Sequence, residues 1–193
     1  MTRRLVLASS SPYRRELLQR LRLPFESVSP DIDESRLPDE TPVRTAQRLA
    51  RAKANAAAAM FVHSLIIGSD QVAYADSMIF DKPLGRARAV DQLRAMRGRA
   101  VQFHSALCLL DSDSGRIQED GVSIEVRFRQ LSDAEIERYV DCDQPYHCAG
   151  SAKAEGLGIA LLEYIRGDDP NALIGLPLIA LCRMLRAEGL ALP

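Results

Sequence analysis

The feature that most constrains this chain is a steady alternation of short apolar runs with longer stretches of helical spacing, joined by a few turn residues. A strand, a crossover helix and a second strand form the repeating unit of an α/β sheet, so this order excludes a helical bundle and an all-β sandwich. Leu5-Val6-Leu7-Ala8 is apolar at every position, as in a strand buried on both faces. The turn Ser9-Ser10-Ser11 and Pro12 then predict a helix over residues 12–23. Further strands are predicted at 25–29 and 65–69, with a long helix over 42–61 between them and a hairpin turning at Asp76-Ser77. A helix over 86–96 ends before Gly98, and two longer strands, 101–110 and 122–130, meet across Asp113-Ser114-Gly115. Ser132-Asp133-Ala134-Glu135 is a capping box for a helix to about residue 140, and an amphipathic helix over 176–188 stops at Gly189. The expectation is one α/β domain over residues 1–193 with a mixed sheet, since no Pro/Gly/Ser-rich linker divides the chain.

The charge balance, 25 basic against 26 acidic residues, excludes a generally basic nucleic-acid binder but leaves room for a local cationic pocket. The longest apolar stretches, 56–62 and 173–182, are too short to span a bilayer. The amino terminus is basic and then apolar for only four residues, against the roughly 7–15 of a signal peptide. A cytoplasmic protein without a membrane partner is expected. Cys108, Cys142, Cys148 and Cys182 form no CxxC pair, and Cys142, His147 and Cys148 lack the fourth ligand and loop spacing of a zinc site. Buried thiols in a reducing compartment are the simplest reading.

Walker, dinucleotide-binding, HExxH and GxSxG motifs are all absent, so chemistry has to be sought where local rules are broken. Arg14 and Arg15 fall in the first turn of a helix, where the dipole disfavours cations. Either an anion compensates, in a cradle of Ser9, Ser10, Ser11 and free N–H groups, or both arginines are solvated near Glu16. Lys53 interrupts the apolar face made by Ala46, Leu49, Ala50, Ala57 and Met60, so its ammonium must reach a carboxylate, a phosphate or the edge of the core. Gly68-Ser69-Asp70-Gln71 stands at the carboxyl end of a predicted strand, which makes Asp70 either a turn residue or a working carboxylate. Asp31-Ile32-Asp33-Glu34 offers hard oxygen ligands for a divalent ion, and Lys82 is held by the proline after it. Four cations, Arg14, Arg15, Lys53 and Lys82, with the carboxylates Glu34 and Asp70, suit hydrolytic phosphoryl or nucleotidyl transfer. No covalent nucleophile accompanies them, and His63, His104 and His147 are read as structural or surface residues.

These motifs resemble the Maf family of nucleotide pyrophosphatases. The matching pieces, in family order, are Leu7-Ala8-Ser9-Ser10-Ser11-Pro12 with Arg14-Arg15, Asp33-Glu34, Ala50-Arg51-Ala52-Lys53-Ala54, Gly68-Ser69-Asp70, Lys82-Pro83-Leu84, and Asp169-Pro170-Asn171 with Gly175-Leu176-Pro177. The resemblance implies an elongated mixed sheet with flanking helices, a cleft between two lobes, and a homodimer. It also implies hydrolysis of a nucleoside triphosphate to the monophosphate and pyrophosphate. Asp70 would be the base or water-positioning carboxylate, with Glu34 sharing a magnesium, manganese or cobalt ion. Ser9, Ser10, Arg14, Arg15, Lys53 and Lys82 would meet the phosphates. Tyr13, Gln71 and Glu155 make the chain look like the branch acting on 7-methyl-GTP, whose cationic base favours an aromatic face and a carboxylate. A pyrimidine (dTTP/UTP) pyrophosphatase and a nucleotide-binding regulator of septum formation are the alternatives the family holds open.

Overall fold

The computed structural model describes residues 3–193; Met1 and Thr2, part of the amino-terminal stretch read above, lie outside them. Seven strands form one mixed sheet in the order β2-β1-β3-β5-β6-β7, with β4 paired to β3. β1 (Arg4–Ala8) is central and parallel to both β2 (Glu26–Val28) and β3 (Ser64–Ala75). Beyond β3 every pairing is antiparallel: β4 (Met78–Ile79), β5 (Ala100–Asp111), β6 (Ile117–Phe128) and β7 (Leu162–Arg166). The α/β reading and the mixed sheet therefore hold.

The helices are α1 (Pro12–Gln19), α2 (Pro42–Ala58), α3 (Arg86–Met96), α4 (Asp133–Asp143) and α5 (Leu178–Ala187). Ser11 and Thr41 cap α1 and α2 through their side chains, each with proline in the first turn, and Ser132 with Glu135 forms the expected capping box of α4. One apolar cluster lies between α1, α5 and one face of the sheet, around Leu17, Leu18, Leu181 and Leu185. A second packs Ala46, Ala50, Ala54 and Ala57 of α2 on the opposite face. The third joins α3 and α4 to the antiparallel part, around Leu93, Phe103, Phe128 and Ile136.

Several sequence expectations are corrected. α1 stops at Gln19 instead of residue 23, because Arg22 takes a left-handed conformation that turns the chain towards β2. α2 ends at Ala58, which leaves Met60 exposed and off the apolar face. β6 begins at Ile117, five residues before its predicted start. β7 had no clear alternation in its sequence, Leu-Glu-Tyr-Ile-Arg, and owes its form to pairing with β6.

The correction that matters most concerns Asp70. β3 runs on to Ala75, so Asp70 lies within a strand, paired in register with Ala106. β1 ends at Ala8, opposite Gly68. Asp70 thus stands two residues past the point where the parallel neighbour leaves, and a gap opens there at the sheet's parallel-to-antiparallel switch.

Candidate active site

A cleft of about 830 Å³ opens at this switch, lined from the amino-terminal half by Ser10, Tyr13, Arg14, Glu34, Asp70 and Gln71. Lys82, Arg88, Cys148 and Glu155 line it from the other side. Under its floor the Lys53 ammonium lies 2.7 Å from Asp70 Oδ1 and 2.8 Å from Glu34 Oε1, meeting these two carboxylates and not lining the cleft itself. Lys53 is 7% and Asp70 8% exposed, which answers why a lysine can interrupt the apolar face of α2: it meets a carboxylate, as a buried cation must.

Gly68 makes that meeting possible. A Cβ there would drive into the carbonyl oxygen of Ala50 and stand 2.9 Å from the amide nitrogen of Ala54, so only glycine lets α2 approach β3 this closely. The approach places Lys53 over Asp70, seventeen residues later in the chain. Burial raises the Glu34 carboxyl, but the hydrogen bond from Lys53 and the charges of Lys53, Lys82 and Arg14 outweigh it and hold the group below its ordinary range.

Arg14 is half-buried and turned inward. Its Nε donates to Gly175 O at 2.8 Å, and Nη1 lies 3.4 Å from Ser9 Oγ. Gly175 has φ +115, so a side chain there would be strained and would crowd the Arg14 guanidinium. Burial lowers the Arg14 pKa from its ordinary value while Asp70 and Glu34 oppose the shift. Arg15 is exposed and the structure does not bring it to the cleft, because successive helical residues point about 100° apart and only one of the pair can face inward. Ser9 is buried beneath the turn, accepting from the Ser11 amide at 3.1 Å, whereas Ser10 faces the cleft.

The Asp169-Pro170-Asn171 and Gly175-Leu176-Pro177 segments support the site without facing it. Asp169, 1% exposed, accepts from the Asn171 amide at 2.9 Å and from the Ile179 amide of α5 at 2.7 Å. That closes the turn whose carbonyls hold Arg14 and Gln71. Gln71 Nε2 lies 3.0 Å from Ala172 O, 2.9 Å from Leu173 O and 3.0 Å from Ser105 Oγ. With the nitrogen so engaged, the side-chain oxygen is the group left to face a ligand, and it can only accept.

Tyr13 and Cys148 meet at the far end, where Cys148 Sγ lies 3.6 Å from Tyr13 Oη. Burial, then the contact with Cys148, pushes the Tyr13 phenol well above its ordinary value, so it stays protonated. Lys153 Nζ lies 5.9 Å from the Tyr13 ring centre, and Glu155 is exposed on the same rim. Cys142 is exposed, and among the described residues no group of three His, Cys, Asp or Glu side chains is placed to hold a metal.

Sequence reasoning missed Arg36, Asp81 and Arg88, which also line the cleft. Arg36 and Asp81 carried no local signal, since they lie in irregular segments 45 residues apart. Arg88 offered one: a second arginine in the first turn of α3, where no side chain caps the helix.

A buried lysine shared by two carboxylates, inward cations and a rim with an aromatic ring define a cleft for an anionic ligand with a ring. This is the layout of a nucleotide-handling α/β protein. Residues 4–188 match the family of Maf-like proteins, and the chain belongs to that family. It is 62% identical over 189 residues to a 7-methyl-GTP pyrophosphatase of Burkholderia pseudomallei, covering 96% of this chain and 88% of that one. It is 61% identical to a protein of the same name from Paraburkholderia xenovorans, over 96% of this chain and 92% of that one. A third, from Polaromonas sp., is 57% identical over 99% and 87% of the two chains.

Proposed function

We propose that the protein hydrolyses 7-methyl-GTP to 7-methyl-GMP and pyrophosphate. The observation that carries the reading is the Lys53 ammonium held between Asp70 and Glu34 at the floor of a cleft that Tyr13, Gln71 and Glu155 also line. The naming of the relatives supports the same substrate.

Water attacks the α-phosphorus; a bond forms from the water oxygen and the bond to the bridging oxygen of the β-phosphate breaks. Asp70 takes the proton of that water, and Lys53, 2.7 Å away, holds the carboxylate in place for it. Arg14 and Lys82 neutralise the departing pyrophosphate, with Ser10 hydrogen-bonding at the start of α1. Glu34 and Asp70 fit a divalent ion in one respect: each carboxylate gives only one oxygen to Lys53 and keeps the other, and magnesium ordinarily binds one or two carboxylates plus substrate phosphates. Such an ion, magnesium, manganese or cobalt, would supply charge neutralisation at the phosphates.

At the base end, Tyr13 offers a face to the cationic ring, and Gln71 Oε1 and Glu155 are acceptors suited to the N1 and N2 protons of guanine. Thymine and uracil lack that pair of donors, which favours the purine over a pyrimidine substrate. The paired carboxylates and buried lysine favour turnover over a binding regulator. The same reading includes a homodimer, as the family resemblance implies, and a cytoplasmic location, where free cysteines such as these four persist.

The test is pyrophosphate release from 7-methyl-GTP, GTP, dTTP and UTP with each of the three ions. Preference for 7-methyl-GTP is expected. Release from none of them would overturn the enzyme reading, and preference for dTTP or UTP would overturn the substrate.

A further inference from the structure

We propose that Arg36 and Asp81 are a pair of positioning residues that bridge the cleft and set Glu34 opposite Lys82; the inference rests on the catalytic reading above. Residues 29–41, between β2 and α2, have no regular structure and bury no side chain. This strap is tied down by polar contacts. Arg48 reaches Ser35 O at 2.9 Å and both Glu40 oxygens at 2.8 Å, and Lys53 holds Glu34. A further tie crosses to the other wall: Arg36 Nη2 donates to both Asp81 oxygens, at 2.8 and 2.7 Å.

The two ends of that bridge differ in how they are anchored. Asp81 follows the buried Phe80, and its carbonyl accepts from Gln92 Nε2 at 2.9 Å. Gln92 Oε1 in turn accepts at 2.5 Å from Ser151, which is fully buried. Asp81 is therefore part of a rigid wall, and Arg36 is the movable partner. Arg36 lies two residues from Glu34 and Asp81 one residue from Lys82, so the bridge sets the separation between a carboxylate of the reaction floor and a cation for the phosphates.

Electrostatics gives the pair a second task. An unpaired carboxylate at position 81 would face the polyphosphate and repel it; Arg36 cancels that charge. The two partners are thus unequal. Losing Arg36 breaks the bridge and uncovers the carboxylate, whereas losing Asp81 breaks the bridge but frees a cation.

The experiment compares Arg36→Ala, Asp81→Ala and the exchange Arg36→Asp with Asp81→Arg, in the full chain. The pair is partly exposed, so the expected rise in KM for 7-methyl-GTP is roughly fivefold in Arg36→Ala and smaller in Asp81→Ala, with kcat within about twofold. The charge exchange should return KM towards the unaltered value. Without nucleotide, backbone amides of residues 33–37 should exchange hydrogen faster in both single variants and recover in the exchange variant. An unchanged KM in Arg36→Ala, equal effects of the two single changes, or an exchange variant no better than Arg36→Ala would each overturn the proposal. Absence of turnover in the unaltered protein would instead remove the catalytic reading, and the amide-exchange rates would still decide the bridge.

Discussion

At the floor of the cleft, Lys53 and Asp70 are more than nine-tenths buried, and the close approach that joins them depends on a glycine that no other residue can replace. At the rim, Glu155 is exposed and Tyr13 is held by a single thiol contact at 3.6 Å. The floor is pre-organised, so its groups spend little free energy on ordering when phosphates arrive. The rim can adjust, so selectivity there is graded. A reaction common to many triphosphates would sit on the first kind of surface and a choice among bases on the second.

The largest effect should follow from breaking the floor. Asp70→Asn keeps the shape and removes the proton acceptor, and a fall in kcat of roughly 10²- to 10⁴-fold is expected, measured as pyrophosphate release. Wild-type turnover in this variant would remove Asp70 from the chemistry. Gly68→Ala attacks the same floor through its packing. The added methyl meets backbone of α2, which cannot rotate away, so a loss of about 1–3 kcal/mol is expected in urea unfolding, together with lower activity. An unaffected midpoint would mean that α2 can slide and that the floor is softer than its geometry indicates.

The rim should respond less and more selectively. Glu155→Gln retains an acceptor but loses the charge, so the preference for 7-methyl-GTP over dTTP should narrow by about tenfold while kcat on a good substrate changes little. A uniform loss on all substrates would place Glu155 in the floor's work instead.

The smallest effect lies outside the cleft and serves as a control. His104, 6% exposed, has Nδ1 2.9 Å from Ser123 Oγ, and no partner meets its Nε2, which packs against Gly121. Burial lowers its pKa, with Asp120 opposing. The unfolded chain therefore takes up the proton first: stability from this residue is fully present above about pH 6.5 and falls as pH drops towards the folded-state pKa. His104→Gln should flatten the stability difference between pH 7.5 and pH 5.5 in urea unfolding. The same slope in both proteins would count against it.

The elements with strong local signals were legible in the sequence. Proline after a capping serine marked the start of α1, and Ser132 with Glu135 marked that of α4. Lys53 announced itself as an anomaly on an apolar face, and its need for an acceptor followed from the cost of an unpaired buried charge. β7 and the extension of β3 through Asp70 were not legible, because both depend on a neighbouring strand. Arg15 was indistinguishable from Arg14 until the rotation of α1 against the sheet chose between them.

The chain's own sequence thus determined the α/β class, the kinds of charge assembled for a polyphosphate, and the family, since each is written in local spacing, caps and ordered motifs. Only the tertiary structure decided which charges meet. Lys53 finds Asp70 and Glu34, Arg14 turns to Gly175, and Arg36 crosses to Asp81. Those pairings depend on the packing of α2 and α1 against the sheet and on where the strap crosses the cleft, and the distances between distant segments exist only once the hydrophobic core has closed.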